Sequence, residues 1–430
     1  MRKNKEAKKQ PVPTFIDLFA GAGGLSEGFI QAGFVPVAHV EKEAYMCETL
    51  RTRNAYYYLK TTDNLPAYYR YISGKITHDD FYKMIPKSVS GTVIQETMSD
   101  ETLPGIFKTI DGIMKLKNHK YVDVIIGGPP CQAYSLVGRA QSSHMEIPMK
   151  DDPRNDLYKL YARFLKRYQP KMFVFENVMG IETANEGKTW SNIQKYLKRV
   201  GYEIECHEQN SKCFGVLQNR RRMIIVGWLK NSGLEYPVFK EKEADAVVND
   251  LLTDLPSLTP GQENNRYKNN RPSKYLTENG IRNKNDVLTL HQSRPNTDQD
   301  IEIYKIAISL WNDGHKRLNY NDLPESLKTH VNRTSFTDRF KVVEGDEKCC
   351  HTMLAHISKD GHYFIHPDFY QHRSITVREA ARIQSFPDDY FFEGPRTSQF
   401  TQIGNAVPPI MAKGIAEGIL VQLKKEKDGK

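Results

Sequence analysis

The stretch FIDLFAGAGGLSEGF, Phe15 to Phe29, decides the fold. A short apolar run reads as a buried strand, glycines stand at 21, 23 and 24, and Leu25, Phe29 and Ala32 then fall on one helical face. Strand, glycine turn and helix together open a βαβ unit. Gly21, Gly23 and Gly24 permit positive φ and close backbone approach, and the helix behind them aims its first N–H groups at an anionic partner. Glu41 ends the next strand about 20 residues on, where a carboxylate can accept hydrogen bonds from ribose hydroxyls. A nucleoside-bearing cofactor suits this geometry; NAD, S-adenosylmethionine and a plain tight turn all remain open on the loop alone.

The same rhythm continues outward to about residue 230. Strand-like runs lie at Thr14 to Phe19, Val35 to Val40, Val122 to Gly128, Lys171 to Asn177 and Arg221 to Trp228, each brief and apolar as in a sheet covered on both faces. The segment DLYKLYARFLKRY places Leu157, Leu160, Tyr161, Phe164 and Leu165 on one helical face. The fold class expected is α/β, a doubly wound, mostly parallel sheet of Rossmann type. Its boundaries are 13–230 and 373–430, with a Tyr-rich, partly helical insertion at about 56–87 that reads as decoration of the domain edge. Between 231 and 372 the periodicity gives way to polar Asn-, Lys- and Pro-rich sequence, and a second, smaller domain is placed there, since so long a structureless loop would be unusual.

The whole-chain balance narrows the function. With 430 residues, 39% of them hydrophobic, the chain can bury a large core, and no apolar run approaches the roughly 18 residues of a membrane span. Residues 1–12 are basic without a signal-like apolar stretch, and read as a disordered arm of a cytoplasmic protein. The six cysteines (47, 131, 206, 213, 349, 350) show no metal-binding spacing and read as free thiols, so no metal is expected. The net charge of +9 favours a polyanionic partner or a merely solvated surface.

Three groups carry chemistry. In GGPPCQAYS, Cys131 follows a strand end and two prolines; a lone cysteine is usually an inert small hydrophobe, but a thiolate presented at a sheet edge is the best ordinary side-chain nucleophile near neutral pH. In FVFENVMG, Glu176 sits at the end of another apolar strand, where a carboxyl group is costly unless hydrogen-bonded or functional. In QNRRR, Arg220 and Arg222 alternate along a strand and so are expected to point together.

These blocks, with RSITVREAARIQSFPDDYFF and QIGNAVPP, resemble in content and order the DNA (cytosine-5) methyltransferase family of bacterial restriction–modification systems, over roughly 14–230 and 373–422. The resemblance implies S-adenosylmethionine as methyl donor and a cytosine flipped out of double-stranded DNA. It implies Cys131 as nucleophile on carbon 6, Glu176 as the acid at ring nitrogen 3, and Arg222 with Arg220 steadying the base. Phe19, Gly21, Ala22, Gly23, Gly24, Glu41, Pro130, Leu157, Asn405 and Val407 then form the cofactor pocket. Lys42 stands where some members carry an aromatic, and the acidic adenine contact is either Glu96 or Asp100. Residues 231–372 become the target-recognition domain, acting as a monomer beside a separately acting restriction endonuclease.

Three other readings compete: a tRNA cytosine-5 methyltransferase, which usually lacks a large recognition domain; an amino-group DNA methyltransferase, which needs no thiol; and a DNA-binding protein without turnover. A dehydrogenase explains neither Cys131 nor the terminal blocks.

Overall fold

Thr14–Leu18 forms strand β1, every residue of it buried, and the chain turns through a glycine loop into helix α1, Gly24–Gln31. The computed structural model describes residues 12–129, 157–180, 187–335 and 337–428. Strand β2 (Val35–Glu41) returns parallel to β1. Helices α2 (Ala44–Thr61), α3 (Leu65–Ile72), α4 (His78–Lys83) and α5 (Lys87–Ser90) then precede the three-residue strand β3 (Val93–Gln95). Helix α6 (Leu103–Leu116), β4 (Val124–Gly127), α7 (Leu157–Tyr168), β5 (Met172–Asn177), α8 (Lys188–Arg199), β6 (Tyr202–Asn210) and β7 (Arg221–Leu229) complete the first part.

The sheet runs β3-β2-β1-β4-β5-β7-β6. Pairings from β3 through β5 are parallel, whereas β7 is antiparallel to both β5 and β6. This is the doubly wound, mostly parallel α/β sheet expected from the apolar runs. The strand order reverses between β1 and β4, the position where such sheets bind ligands beyond their carboxyl ends. One apolar layer (Ile16, Leu18, Ile125, Tyr161, Phe164, Phe173) packs α6, α7 and α8 on one face. The other (Phe15, Phe29, Val124, Val174, Ile224, Met411, Ile415) packs α1 and the C-terminal helix on the opposite face.

Beyond β7 the chain is largely irregular, with short helix α9 (Lys274–Glu278) and the longer α10 (Asp298–Gly314), before α11 (Val377–Ile383), α12 (Arg396–Asn405) and α13 (Pro409–Asp428). Two cores serve it. Val248, Leu251, Leu276, Val343 and Met353 share one cluster with Ile375, Ala380, Phe386 and Ile403, so much of the 231–372 stretch is welded to the C-terminal segment. Ile303, Tyr304, Ile308, Tyr320, Phe340 and Ile365 build a separate one around α10.

Helix α13 is apolar because it is a core helix: Met411, Ala412, Ile415, Ala416 and Ile419 are completely buried. It is drawn onto α1 by a glycine notch. A Cβ at Gly24 would meet the Val407 carbonyl oxygen at 2.3 Å, and one at Gly28 would meet Ala412 at 2.4 Å.

The Tyr-rich insertion is more than an edge decoration. Ala55, Leu59, Tyr68, Ile72 and Phe81 form their own small core, and its hydroxyls reach across to the C-terminal segment. Tyr68 donates to the Asp389 carbonyl at 2.7 Å and Tyr71 to the Glu393 carboxylate at 2.8 Å, while Tyr69 donates to Asp286 at 3.0 Å.

Candidate active site

The glycine loop is held open by its own backbone and by Glu41. Phe19 and Gly21 have φ of 56° and 54° and Gly23 has φ of 80°. A Cβ at Gly21 would meet nothing within 4 Å, whereas at Gly23 it would strike Leu50 and the Tyr390 hydroxyl. Gly21 therefore faces open space, and Gly23 is closed from behind. The Ala22 carbonyl, next to it, accepts the Tyr390 hydroxyl. Glu41 is nearly buried, and its carboxylate accepts the N–H groups of Gly21 at 2.8 Å, Lys42 at 2.8 Å and Glu43 at 3.0 Å. Burial raises its pKa against those three backbone donors, which lower it. The loop and the β2 carboxylate, 20 residues apart in sequence, are thus joined directly.

The neighbouring positions fall along the same edge. Glu96 follows β3, whose Gln95 pairs with Glu41, and donates its N–H to the Glu41 carbonyl at 2.9 Å. Asp100 is instead engaged by Arg163. Exposed Lys42 pairs with Glu43 at 3.4 Å. Leu157 is half-buried at the start of α7, Asn405 is exposed at the end of α12, and Val407 packs behind Gly24. Pro130 and Cys131 lie outside the described residues, which stop at Pro129, two residues past the end of β4.

Glu176 and Arg222 meet. They come from β5 and from the start of antiparallel β7, and Arg222 Nε lies 2.7 Å from Glu176 Oε1 with both side chains only 13–15% exposed. Gly128 gives them room: a Cβ there would sit 2.8 Å from Glu176 Oε2. The other arginine does not join them, and the expectation that Arg220 shares a face with Arg222 is corrected. Strand β7 begins only at Arg221, so the alternation that put the two side chains together does not extend to 220. Arg220 is fully buried and donates instead to the Met353 carbonyl at 2.6 Å and the Gly404 carbonyl at 3.0 Å. Arg221, between them, pairs with Glu208 on the surface.

Sequence reasoning passed over two contributors. Gln218, wholly buried, accepts the Met353 N–H at 2.8 Å and donates to Gln384, and only its place in the QNRRR block could have marked it. Behind the loop, Ser26 donates to Asp17 and lies 3.2 Å from His39 Nδ1, tying α1 to β1 and β2. Among the described residues no cluster of His, Cys, Asp and Glu has metal-binding geometry.

A glycine loop over a carboxylate at the switch point, with a carboxyl–guanidinium pair two strands away, can hold a nucleoside-bearing cofactor beside a small polar heterocycle. The comparisons agree. The model of the C-5 cytosine-specific DNA methylase family matches residues 13–64 and 72–421, its gap falling inside α3 of the insertion. The Type II methyltransferase M.Bpa9945I of Bacillus paralicheniformis is 42% identical over 94% of this chain and 98% of its own. The Type II methyltransferase M1.HphI of Haemophilus parahaemolyticus is 32% identical over 95% of this chain and 86% of its own. Among solved structures, a prophage-encoded Escherichia coli protein assigned as a DNA modification methyltransferase aligns over 96% of this chain and 99% of its own, with a TM-score of 0.62 and 25% identity. With the family model spanning nearly all of it, the chain belongs to the C-5 cytosine-specific DNA methylase family and is a DNA (cytosine-5) methyltransferase.

Proposed function

We propose that this methyltransferase acts on a cytosine extruded from duplex DNA through a covalent adduct at Cys131, using S-adenosylmethionine and no metal. The observation that carries the reading is the half-enclosed Glu176–Arg222 pair beside Gly128, a few residues from Cys131. Carbon 5 of cytosine is a poor nucleophile. The Cys131 thiolate adds to carbon 6, and Glu176 delivers a proton to nitrogen 3, leaving an enamine in which carbon 5 is electron-rich. Arg222 fixes the Glu176 carboxyl group and, with it, the plane of the base. Carbon 5 then accepts the electrophilic methyl group that S-adenosylmethionine supplies when bound. Loss of the carbon 5 proton and departure of the thiolate restore the aromatic ring, and the proton on nitrogen 3 is given back.

The cradle fits that donor. Gly21 leaves space at the loop, Glu41 presents a nearly buried carboxylate for ribose hydroxyls, and Glu96, beside Glu41, is the better placed of the two acidic candidates for adenine because Asp100 is taken by Arg163. Phe19, Ala22, Gly23, Gly24, Leu157, Asn405 and Val407 line the remainder, and the family motif adds Pro130 to the set. Residues 231–372 read the DNA site. Its exposed cations Arg266, Lys268, Arg271 and Lys274 suit phosphates. The setting is a restriction–modification system in a bacterial cytoplasm, with a monomeric enzyme and a separate endonuclease of the same specificity.

Single-base sequencing of DNA from cells expressing the wild type and Cys131→Ser tests this. Methylcytosine at one short recurring site with the wild type, absent with the variant, is expected, because a serine hydroxyl is a far weaker nucleophile at neutral pH. The same mark from Cys131→Ser would remove Cys131 from the mechanism.

A further inference from the structure

Arg220 holds together three parts of the molecule that are remote in sequence. Residues 350–355 leave the recognition region as an extended strap that crosses the entry to β7: the Asn219 N–H donates to the Cys350 carbonyl at 2.9 Å, the Cys350 N–H donates to the Leu217 carbonyl at 3.2 Å, and the Thr352 hydroxyl donates to the Asn219 carbonyl at 2.6 Å. At the centre of the strap both peptide groups of Met353 are gripped. Gln218 Oε1 accepts its N–H at 2.8 Å and Arg220 takes its carbonyl at 2.6 Å. The second arm of the Arg220 guanidinium holds the Gly404 carbonyl at 3.0 Å, one residue before Asn405. Gln384, bonded to Gln218, donates to the Ile403 and Ala406 carbonyls at 2.8 and 2.9 Å, closing the network around the same turn. The strap also presses on α12 directly, since a Cβ at Gly404 would lie 2.3 Å from the Ala355 nitrogen.

Two residues after Arg220 comes Arg222, which faces Glu176. A guanidinium is a rigid planar fork, and one whose two arms are committed to two carbonyls cannot shift without dropping one of them. We infer that Arg220 is a positioning residue. It fixes the strap from the recognition region and the Asn405 turn in one register with Arg222, so that the base-holding pair takes its catalytic geometry only when the recognition region is seated. The inference rests on the reading of Glu176 and Arg222 as the groups that hold the target base. Misplacing such a pair by about 1 Å costs on the order of 100-fold in rate without removing any group that touches substrate.

The test compares wild type, Arg220→Met, Arg220→Lys and Gln218→Leu on a duplex carrying the site mapped by sequencing for the wild type. It measures single-turnover methylation at saturating DNA and S-adenosylmethionine, the Kd for each, the Tm, and the fluorescence of 2-aminopurine placed at the target base. Arg220→Met is expected to lose about 100-fold in single-turnover rate with little change in either Kd. Arg220→Lys, which keeps a charged donor, is expected to recover most of that loss, and 2-aminopurine is expected to extrude while remaining less immobilised. Gln218→Leu, which releases the Met353 N–H and the Gln384 side chain but leaves both arms of Arg220 in place, is expected to show a smaller loss of the same kind and serves if Arg220→Met does not fold. An unchanged rate, a rate loss that merely follows the folded fraction or the DNA Kd, or Lys as damaging as Met would overturn the inference. A wild type without turnover would instead overturn the reading of the Glu176–Arg222 pair on which it rests.

Discussion

Two of the molecule's arginine–glutamate pairs are built to opposite specifications. Arg222 and Glu176 stand at the carboxyl edge of the sheet, each partly open to solvent, with a nearest contact of 2.7 Å. Arg373 and Glu379 are sealed. There the guanidinium makes paired contacts of 2.7 and 2.8 Å to Glu379, adds the Leu258 and Ser374 carbonyls and the Gln371 amide, and Glu379 also caps α11 through the Thr376 N–H at 2.7 Å. Around it, Arg382 bridges Asp254 and Asp388, and Arg53 bridges Glu27 and Asp389. A saturated network maintains shape, because breaking any member strands a buried charge. The Glu176–Arg222 pair instead keeps 13–15% of each side chain exposed at the carboxyl edge of the sheet, the edge where ligands of such folds bind.

The contrast is sharpest when one member of each pair is removed. Glu176→Gln is expected to cut turnover by about 100-fold or more, since an amide cannot pass a proton to nitrogen 3, while Tm and S-adenosylmethionine affinity stay close to wild type. Single-turnover kinetics with calorimetry check this, and a normal rate would end the proposed acid role. Arg373→Met is expected to do the reverse. It leaves Glu379 buried without its main partner, at a cost of about 3–5 kcal/mol, so Tm falls steeply while turnover per folded molecule is preserved. A stable but inactive Arg373→Met would erase the distinction.

Acid should also find the sealed network first. His366 sits 3.5 Å from Glu379, accepts the Asp368 N–H on Nδ1, and has its pKa pushed down to about 3 by burial and by the Arg373 charge. The unfolded chain takes up this proton below about 6.5 and the folded chain does not. Stability from this group is therefore full above pH 6.5 and is lost as pH falls toward 3, by about 1.4 kcal/mol per unit. Thermal melts across that range should show the slope, and His366→Gln should flatten it. The smallest effect belongs to Arg221, whose exposed partner is Glu208: Arg221→Ala should leave both Tm and turnover unchanged, since solvent screens such pairs.

Much of the frame was legible because buried parallel strands write themselves as apolar runs. Strands β1, β2, β4, β5 and β7 were all visible in this way. Strand β6 was not, because it is an edge strand whose sequence YEIECHEQN alternates toward solvent, and β3 is too short for any period to register. Glu176 and Glu41 were readable because each ends an apolar run. Arg220 was misread for a physical reason. Its partners, the Met353 and Gly404 carbonyls, are backbone groups far along the chain, and backbone acceptors leave no mark on composition or spacing. The insertion was read as edge decoration because the partners of its tyrosine hydroxyls, the Asp389 carbonyl and the Glu393 carboxylate, lie far along the chain.

The notch at Gly24 and Gly28 bears on how the molecule is made. Synthesis delivers the glycine loop among the first residues and the Val407 carbonyl and Ala412 that wall it among the last. Until α13 docks, the face of α1 notched at Gly28 and the back of the loop at Gly24 stay uncovered, so the two ends of the catalytic sheet reach their folded surroundings only after the 231–372 stretch between them has been made. Contacts of such long sequence separation form late and slowly.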